Sequence, residues 1–155
     1  MTMLEPSEPD AVQRGLIGRL VARFEDKGLK LVALKMARIA PALAERHYAA
    51  HKGKGFYEPL LKFMTCGPVV LAVLEGKGAV PVVRKMMGAT FGPAAEPGTM
   101  RGDFGASNRF NLVHGSDSPE AAALEISLFF TPDELLDWTP AAQPWVYDMS
   151  TGEAV

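Results

Sequence analysis

The chain has 155 residues, 48% of them apolar and 22% charged, with 16 Lys and Arg against 18 Asp and Glu for a formal net charge of −2. This is the composition of a soluble globular protein able to bury a core without staples, and the single cysteine, Cys66, excludes an intramolecular disulfide and reads as a small buried apolar residue in a reducing compartment. The near-neutral charge offers no basic field for nucleic acid, no apolar run approaches the ~18 residues that span a membrane, and the acidic start Met1-Thr2-Met3-Leu4-Glu5-Pro6 is unlike a secretory signal, so the expected address is cytoplasmic.

One domain over residues 1–155 is expected, without repeats or linkers. Pro9-Asp10 opens the first clear element, with Asp10 as cap and Gln13 completing a capping-box pattern. Val12, Leu16, Ile17, Leu20, Val21 and Phe24 recur at helical spacing, and Gly28 ends that helix. Leu29 to Ile39 is aliphatic and reads as a strand, whereas Pro41 to His47 and Phe56 to Met64 read as short helices. Pro68 to Leu74 is a continuous apolar run, as in a buried strand, and Val80 to Met87 is a helix with Pro81 in its first turn. Gly88 to Arg109 carries Gly88, Gly92, Gly98, Gly102 and Gly105, five of the 15 glycines, with Pro93 and Pro97 as further breakers. It reads as irregular, and a loop of about 20 residues in a compact domain is usually functional or disordered. Leu112 and Val113 suggest a short buried strand, Ser118-Pro119-Glu120 opens a helix to about Phe130, and Thr131-Pro132-Asp133-Glu134 starts a short one. The order points to an α+β sandwich with helices over a small sheet.

Chemistry concentrates in Asn111-Leu112-Val113-His114-Gly115-Ser116-Asp117-Ser118. His114 directly follows the short strand, and Gly115 permits a sharp turn, which aims the ring into a cleft; a structural histidine beside a turn is the plain alternative. Glu125, on the next helix beside Leu124 and Leu128, borders an apolar stripe and needs a partner unless it is solvated. A carboxylate that holds one ring nitrogen of His114 fixes the tautomer and leaves the other nitrogen to attack. Arg84, Arg101 and Arg109 surround the glycine-rich loop with forks suited to phosphate oxygens, and Thr90 and Thr99 add hydroxyls; scattered surface cations are the alternative. Phe56 and Tyr57, with Leu60 a turn later, are either a stacking platform or core.

These motifs converge on a resemblance. Asn111-x-x-His114-Gly115-Ser116-Asp117 resembles the active-site signature of nucleoside diphosphate kinases. The likeness starts at Pro9-Asp10-Ala11-Val12-Gln13-Arg14-Gly15 and continues through Gly67-Pro68-Val69-Val70, Met87-Gly88-Ala89-Thr90 and Pro97-Gly98-Thr99-Met100-Arg101-Gly102-Asp103-Phe104 to Trp145-Val146-Tyr147. The resemblance implies a ferredoxin-like fold, a four-stranded antiparallel sheet covered by helices, with the long loop forming the nucleotide cleft. It implies a ping-pong cycle in which His114 takes the γ-phosphate of a nucleoside triphosphate and passes it to a nucleoside diphosphate. Glu125 and Ser116 would orient the imidazole, and Arg84, Thr90 and Arg101 would hold phosphates. Asn111 would meet the ribose, Phe56 and Leu60 the base, and Tyr48 the transferred phosphate. Mg²⁺ would arrive with the nucleotide, with Asp117 assisting through water. Homo-oligomers are implied, and the Trp145-Val146-Tyr147 extension is more like that of the hexameric group than of the tetrameric one.

Residues 1–8 depart from the pattern. The family sets a lysine immediately before the Pro-Asp of the first helix, where this chain has Glu8. The family's apolar first strand aligns with Met3-Leu4-Glu5-Pro6-Ser7-Glu8, which places a proline and two carboxylates in an internal strand. Weakened turnover is expected, unless a nearby lysine such as Lys35 stands in. The alternative is a catalytically impaired homologue that binds nucleotides and assembles.

Overall fold

Six consecutive buried residues, Val69 to Leu74, fix the middle of the molecule, because a strand buried on both faces needs apolar side chains at every position. The computed structural model describes residues 1–150. Its strands are β1 (Thr2–Ser7), β2 (Lys30–Ala37), β3 (Val69–Glu75) and β4 (His114–Gly115). They form one antiparallel sheet in the order β2-β3-β1-β4. The helices are α1 (Pro9–Gln13), α2 (Ile17–Asp26), α3 (Pro41–His47), α4 (Tyr57–Thr65), α5 (Ala79–Met87), α6 (Met100–Phe104), α7 (Pro119–Phe129) and α8 (Gln143–Val146). This is the expected ferredoxin-like α+β architecture, an antiparallel sheet with helices packed over it.

Alternation along β3 divides the core in two. Val69, Leu71 and Val73 pack with Met3, Val32, Met64, Ile126 and Phe129, which bring α4 and α7 onto one face. Ala72 and Leu74 pack with Ala11, Leu20, Phe24, Val83, Met87 and Met100, which bring α1, α2, α5 and α6 onto the other. The sheet thus serves as a partition, and β4 with His114 lies at one edge of it.

The first strand forms despite Pro6. Leu4 pairs with Ala72 and Ser7 with Val70, so the two residues Glu5 and Pro6 together oppose Leu71. This is a β-bulge, and a bulge is where an internal strand can accept a residue without an N–H. The expected cost of a buried Glu5 carboxylate concerns a side chain outside the described residues.

Several expectations are corrected. The first helix is two: α1 ends at Gln13, Gly15 takes φ +65°, and α2 starts at Ile17. Asp10 lies inside α1, and the capping position belongs to Glu8, whose side chain does not cap. The long loop contains α6, which starts because the Thr99 hydroxyl accepts from the Gly102 N–H at 3.1 Å while Met100 is fully buried. Cys66 is exposed rather than buried, at the end of α4.

The remainder of the loop is held by backbone contact. Gly92 lies directly against the Gly105 carbonyl, with no room for a Cβ between them. Gly92→Ala is therefore expected to destabilise the fold by about 1–3 kcal/mol through overpacking. Urea unfolding checks this, and an unchanged midpoint would mean that the loop is not clamped at that point.

Candidate active site

The segment leading into His114 is a sharp kink. Leu112, expected in a strand with Val113, instead takes φ +70° at the centre of a three-residue turn closed by Val113 N–H donating to the Asn111 carbonyl at 2.8 Å. Such γ-turns with positive φ are strained, and for a fully buried leucine the surroundings must enforce the shape. Arg101 enforces it. Its guanidinium is buried and donates to three carbonyls: Nε to Asn111 at 3.2 Å, one terminal nitrogen to Gly88 at 3.0 Å and the other to Val113 at 2.6 Å. Burial lowers the Arg101 pKa, and the nearby Glu8 charge works in the opposite direction.

The kink presents His114 on β4, where its backbone pairs with Glu5. The ring is partly open, with 32% of the side chain exposed, and its Nε2 stands 3.7 Å from Glu125 Oε1. The other Glu125 oxygen accepts from the Ser116 hydroxyl, which also lies 3.2 Å from the Met3 carbonyl. Burial raises the Glu125 pKa, but the neighbouring His114 ring and the Ser116 hydroxyl outweigh it, and the net shift is downward. α7 carries Glu125 to this place because Ser118 caps it, accepting from the Ala121 N–H at 3.1 Å. His114, Ser116 and Glu125 thus form one connected group with His114 Nδ1 on the side away from the carboxylate. This arrangement fixes a tautomer and can leave a nucleophilic nitrogen.

The other expected residues are distributed around this group. Arg84, on α5, pairs with Asp117, three residues after His114. Tyr48 is buried with its ring 4.4 Å from that of His47, which is 5.9 Å edge-on to His114. Phe56 is 51% exposed, as a stacking surface requires, whereas Tyr57 is core and Leu60 is half-buried against the core. Thr90 is exposed, and Arg109 lies over the Phe110 ring rather than beside the kink.

Glu8 is 92% buried and in contact with the site. The Asn111 amide, oriented with its nitrogen toward the carboxylate, donates to both Glu8 oxygens at 2.9 and 2.7 Å. Lys35 does not replace the missing lysine: it is on β2, two strands from β1, and it pairs with Glu134 at 2.6 Å over the Phe130 ring. Sequence reasoning missed His47. Its position at the end of an amphipathic helix, next to Tyr48, was the available signal. It also missed the three carbonyls of Arg101, for which local spacing carries no sign. A separate cavity of about 600 Å³, lined by Leu29, Trp138, Gln143 and Tyr147 among others, includes none of the His114 group.

Comparison with known proteins agrees with this geometry. The family model described as nucleoside diphosphate kinase matches residues 7–135. The nucleoside diphosphate kinase of Synechococcus elongatus is 53% identical over 141 residues, covering 91% of this chain and 95% of its own. That of Archaeoglobus fulgidus is 52% identical, covering 91% and 93%. Among solved structures, a halophilic nucleoside diphosphate kinase from Halobacterium salinarum in complex with CDP superposes with a TM-score of 0.90 at 49% identity, covering 95% of this chain and 97% of that one. A family protein from Babesia bovis superposes with a TM-score of 0.89 at 42% identity, covering 94% and 97%. With a kinked, arginine-clamped histidine at the sheet edge and these matches along most of its length, the chain belongs to the nucleoside diphosphate kinase family of phosphate-transferring enzymes.

Proposed function

We propose that this chain, acting as one domain, moves the γ-phosphate of a nucleoside triphosphate to a nucleoside diphosphate through a phosphohistidine at His114. The observation that carries the reading is the His114–Glu125–Ser116 group. The His114 Nδ1 lone pair attacks the γ-phosphorus, the bond to the β–γ bridging oxygen breaks, and the diphosphate leaves with that electron pair. Glu125 holds the Nε2 proton and offsets the positive charge that the ring acquires, and Ser116 keeps the carboxylate in place. A second diphosphate then attacks the phosphohistidine through a terminal oxygen, and the ring is restored.

Arg84 and Arg101 are assigned to the phosphates and Thr90 to a hydroxyl contact with them, while Tyr48 is assigned to the transferred group. Arg101 keeps this role only through the N–H groups not used on carbonyls, so its first duty is to hold the kink. Phe56, exposed on the rim, and Leu60 are assigned to the base, where stacking tolerates any ring. A divalent cation, Mg²⁺, is assigned to the nucleotide phosphates, whose charge it would offset. The exposed Asp117 carboxylate offers the hard oxygen donor such an ion prefers and would hold it through water.

Glu8 argues for weakened turnover. It puts a carboxylate where negative charge gathers, and it engages the Asn111 amide assigned to the ribose. Loss of one well-placed donor costs about 3 kcal/mol, or roughly a hundredfold in rate. The impaired, nucleotide-binding homologue is thus the second reading, and Glu8 is the observation that favours it.

We also assign the chain to a homo-oligomer, a hexamer in preference to a tetramer. Trp145 at 92% exposure and Met36 and Leu34 on the outer strand β2, at 60% and 48%, are apolar surface suited to neighbouring subunits. The exposed Cys66 suits a reducing, cytoplasmic setting, and among the described residues no helix is long and apolar enough to cross a membrane.

Two experiments test the assignment. Incubation with γ-labelled ATP is expected to give acid-labile, alkali-stable label on the protein, and His114→Ala is expected to lose it entirely; label retained in that variant would end the phosphohistidine reading. Glu8→Lys is expected to raise kcat/KM at least tenfold in a coupled nucleotide assay, whereas equal rates would mean that the position is irrelevant to turnover here.

A further inference from the structure

We propose that His47, His114 and Glu125 together form a site for a borderline-soft divalent cation of the zinc type, and that filling it switches the nucleophile off. Each residue offers one donor atom, and the three atoms lie within 4.8 Å of one another. Tetrahedral zinc holds nitrogen and oxygen donors at about 2.0–2.2 Å, which sets neighbouring donors roughly 3.3–3.6 Å apart. His114 Nε2 and Glu125 Oε1, at 3.7 Å, come close to that spacing, so the main adjustment is an approach by His47. A rotation of one ring by about an ångström is a small side-chain adjustment.

The donor set selects the metal. Two imidazoles and one carboxylate suit zinc, copper or nickel, whereas magnesium prefers an all-oxygen shell with several waters. The site is therefore chemically distinct from the one assigned to the nucleotide's cation. Neutral imidazole nitrogens and a carboxylate are the donor forms that such an ion takes. The supports are also present. Ser116 holds the second Glu125 oxygen, and the His47 ring is held edge-on by Phe129 at 5.0 Å and by Tyr48 at 4.4 Å. Three protein donors leave a fourth position for water or a phosphate oxygen.

The consequence for the reaction follows from which nitrogen is taken. A cation on His114 Nε2 takes the lone pair there and displaces the proton that Glu125 otherwise holds, so the neutral ring carries its proton on Nδ1, which then has no lone pair with which to attack. It also draws Glu125 away from its part in offsetting the imidazolium charge. His47, which touches no reacting atom in the cycle described above, is the residue that turns an ordinary histidine–carboxylate pair into a three-donor site.

The test uses the full chain without nucleotide. Zinc chloride alone is titrated into the protein by calorimetry, and cobalt chloride gives a visible spectrum that reports coordination number. One ion per subunit is expected with tetrahedral cobalt absorption. His47→Asn and, as a second variant, Glu125→Gln are each expected to weaken binding at least tenfold, while His51→Asn, on the surface beside Lys54, binds as the parent does. In a second arm, labelling from γ-labelled ATP at fixed Mg²⁺ is followed against zinc. The concentration for half inhibition, relative to each protein's own zinc-free rate, is expected to rise at least tenfold in His47→Asn. No binding, or equal binding by parent, His47→Asn and Glu125→Gln, overturns the proposal, as does equal inhibition in parent and His47→Asn. The inhibition arm rests on His114 being the nucleophile, but the calorimetric arm does not, so failure of one reading is separable from failure of the other.

Discussion

Three carbonyls converge on one buried guanidinium, and the placement of His114 depends on that contact. A leucine at φ +70° in a closed γ-turn would relax if left alone, and the relaxed backbone would carry the histidine elsewhere. Arg101 prevents this by binding the carbonyls on both sides of Leu112, and it ties them to Gly88 at the end of α5. Arginine suits this duty because its planar fork reaches several acceptors at once and remains charged when buried; a lysine ammonium would meet fewer of them. The same contact joins α6, the kink and α5 into one unit, so the glycine-rich loop and the His114 ring are mechanically linked.

Around that unit the charges are arranged in pairs. Glu125 faces His114 and Ser116, Asp117 faces Arg84, and Glu8 faces Asn111 with Arg101 nearby. The second pair suits a site that receives an anion, because it keeps the Arg84 guanidinium beside the His114 segment. The third is different in kind, since a carboxylate buried there satisfies its own hydrogen-bonding needs within the protein and meets a ligand as a like charge.

Much of this was legible in the residues. The apolar run ending at Leu74 announced a strand buried on both faces, Ser118-Pro119 announced the start of α7, and the interval from His114 to Glu125 announced their pairing across a turn. These are local signals, written in spacing and capping chemistry. What was hidden is set by contacts between distant parts of the chain. Breakers on every side concealed α6, although Thr99 was a usable cap. Leu112 looked like a strand residue because nothing adjacent to it reveals that Arg101 will bend its backbone. Cys66 looked buried by residue type, but it falls at a helix end facing outward. His47 looked incidental because its significance lies in which ring it meets after folding.

The bulge in β1 has an effect on how the chain's beginning can vary. Where Glu5 and Pro6 share a single opposite number, one of them is surplus to the ladder. A chain shorter by one there would restore one-to-one matching while Met3 stayed opposite Val73 and Ser7 opposite Val70. The register of the strand against β3 is thereby shifted between its two halves. Because Glu5 also pairs with His114, the surplus residue lies against the edge strand that carries the histidine, and a change in length there reaches that strand directly.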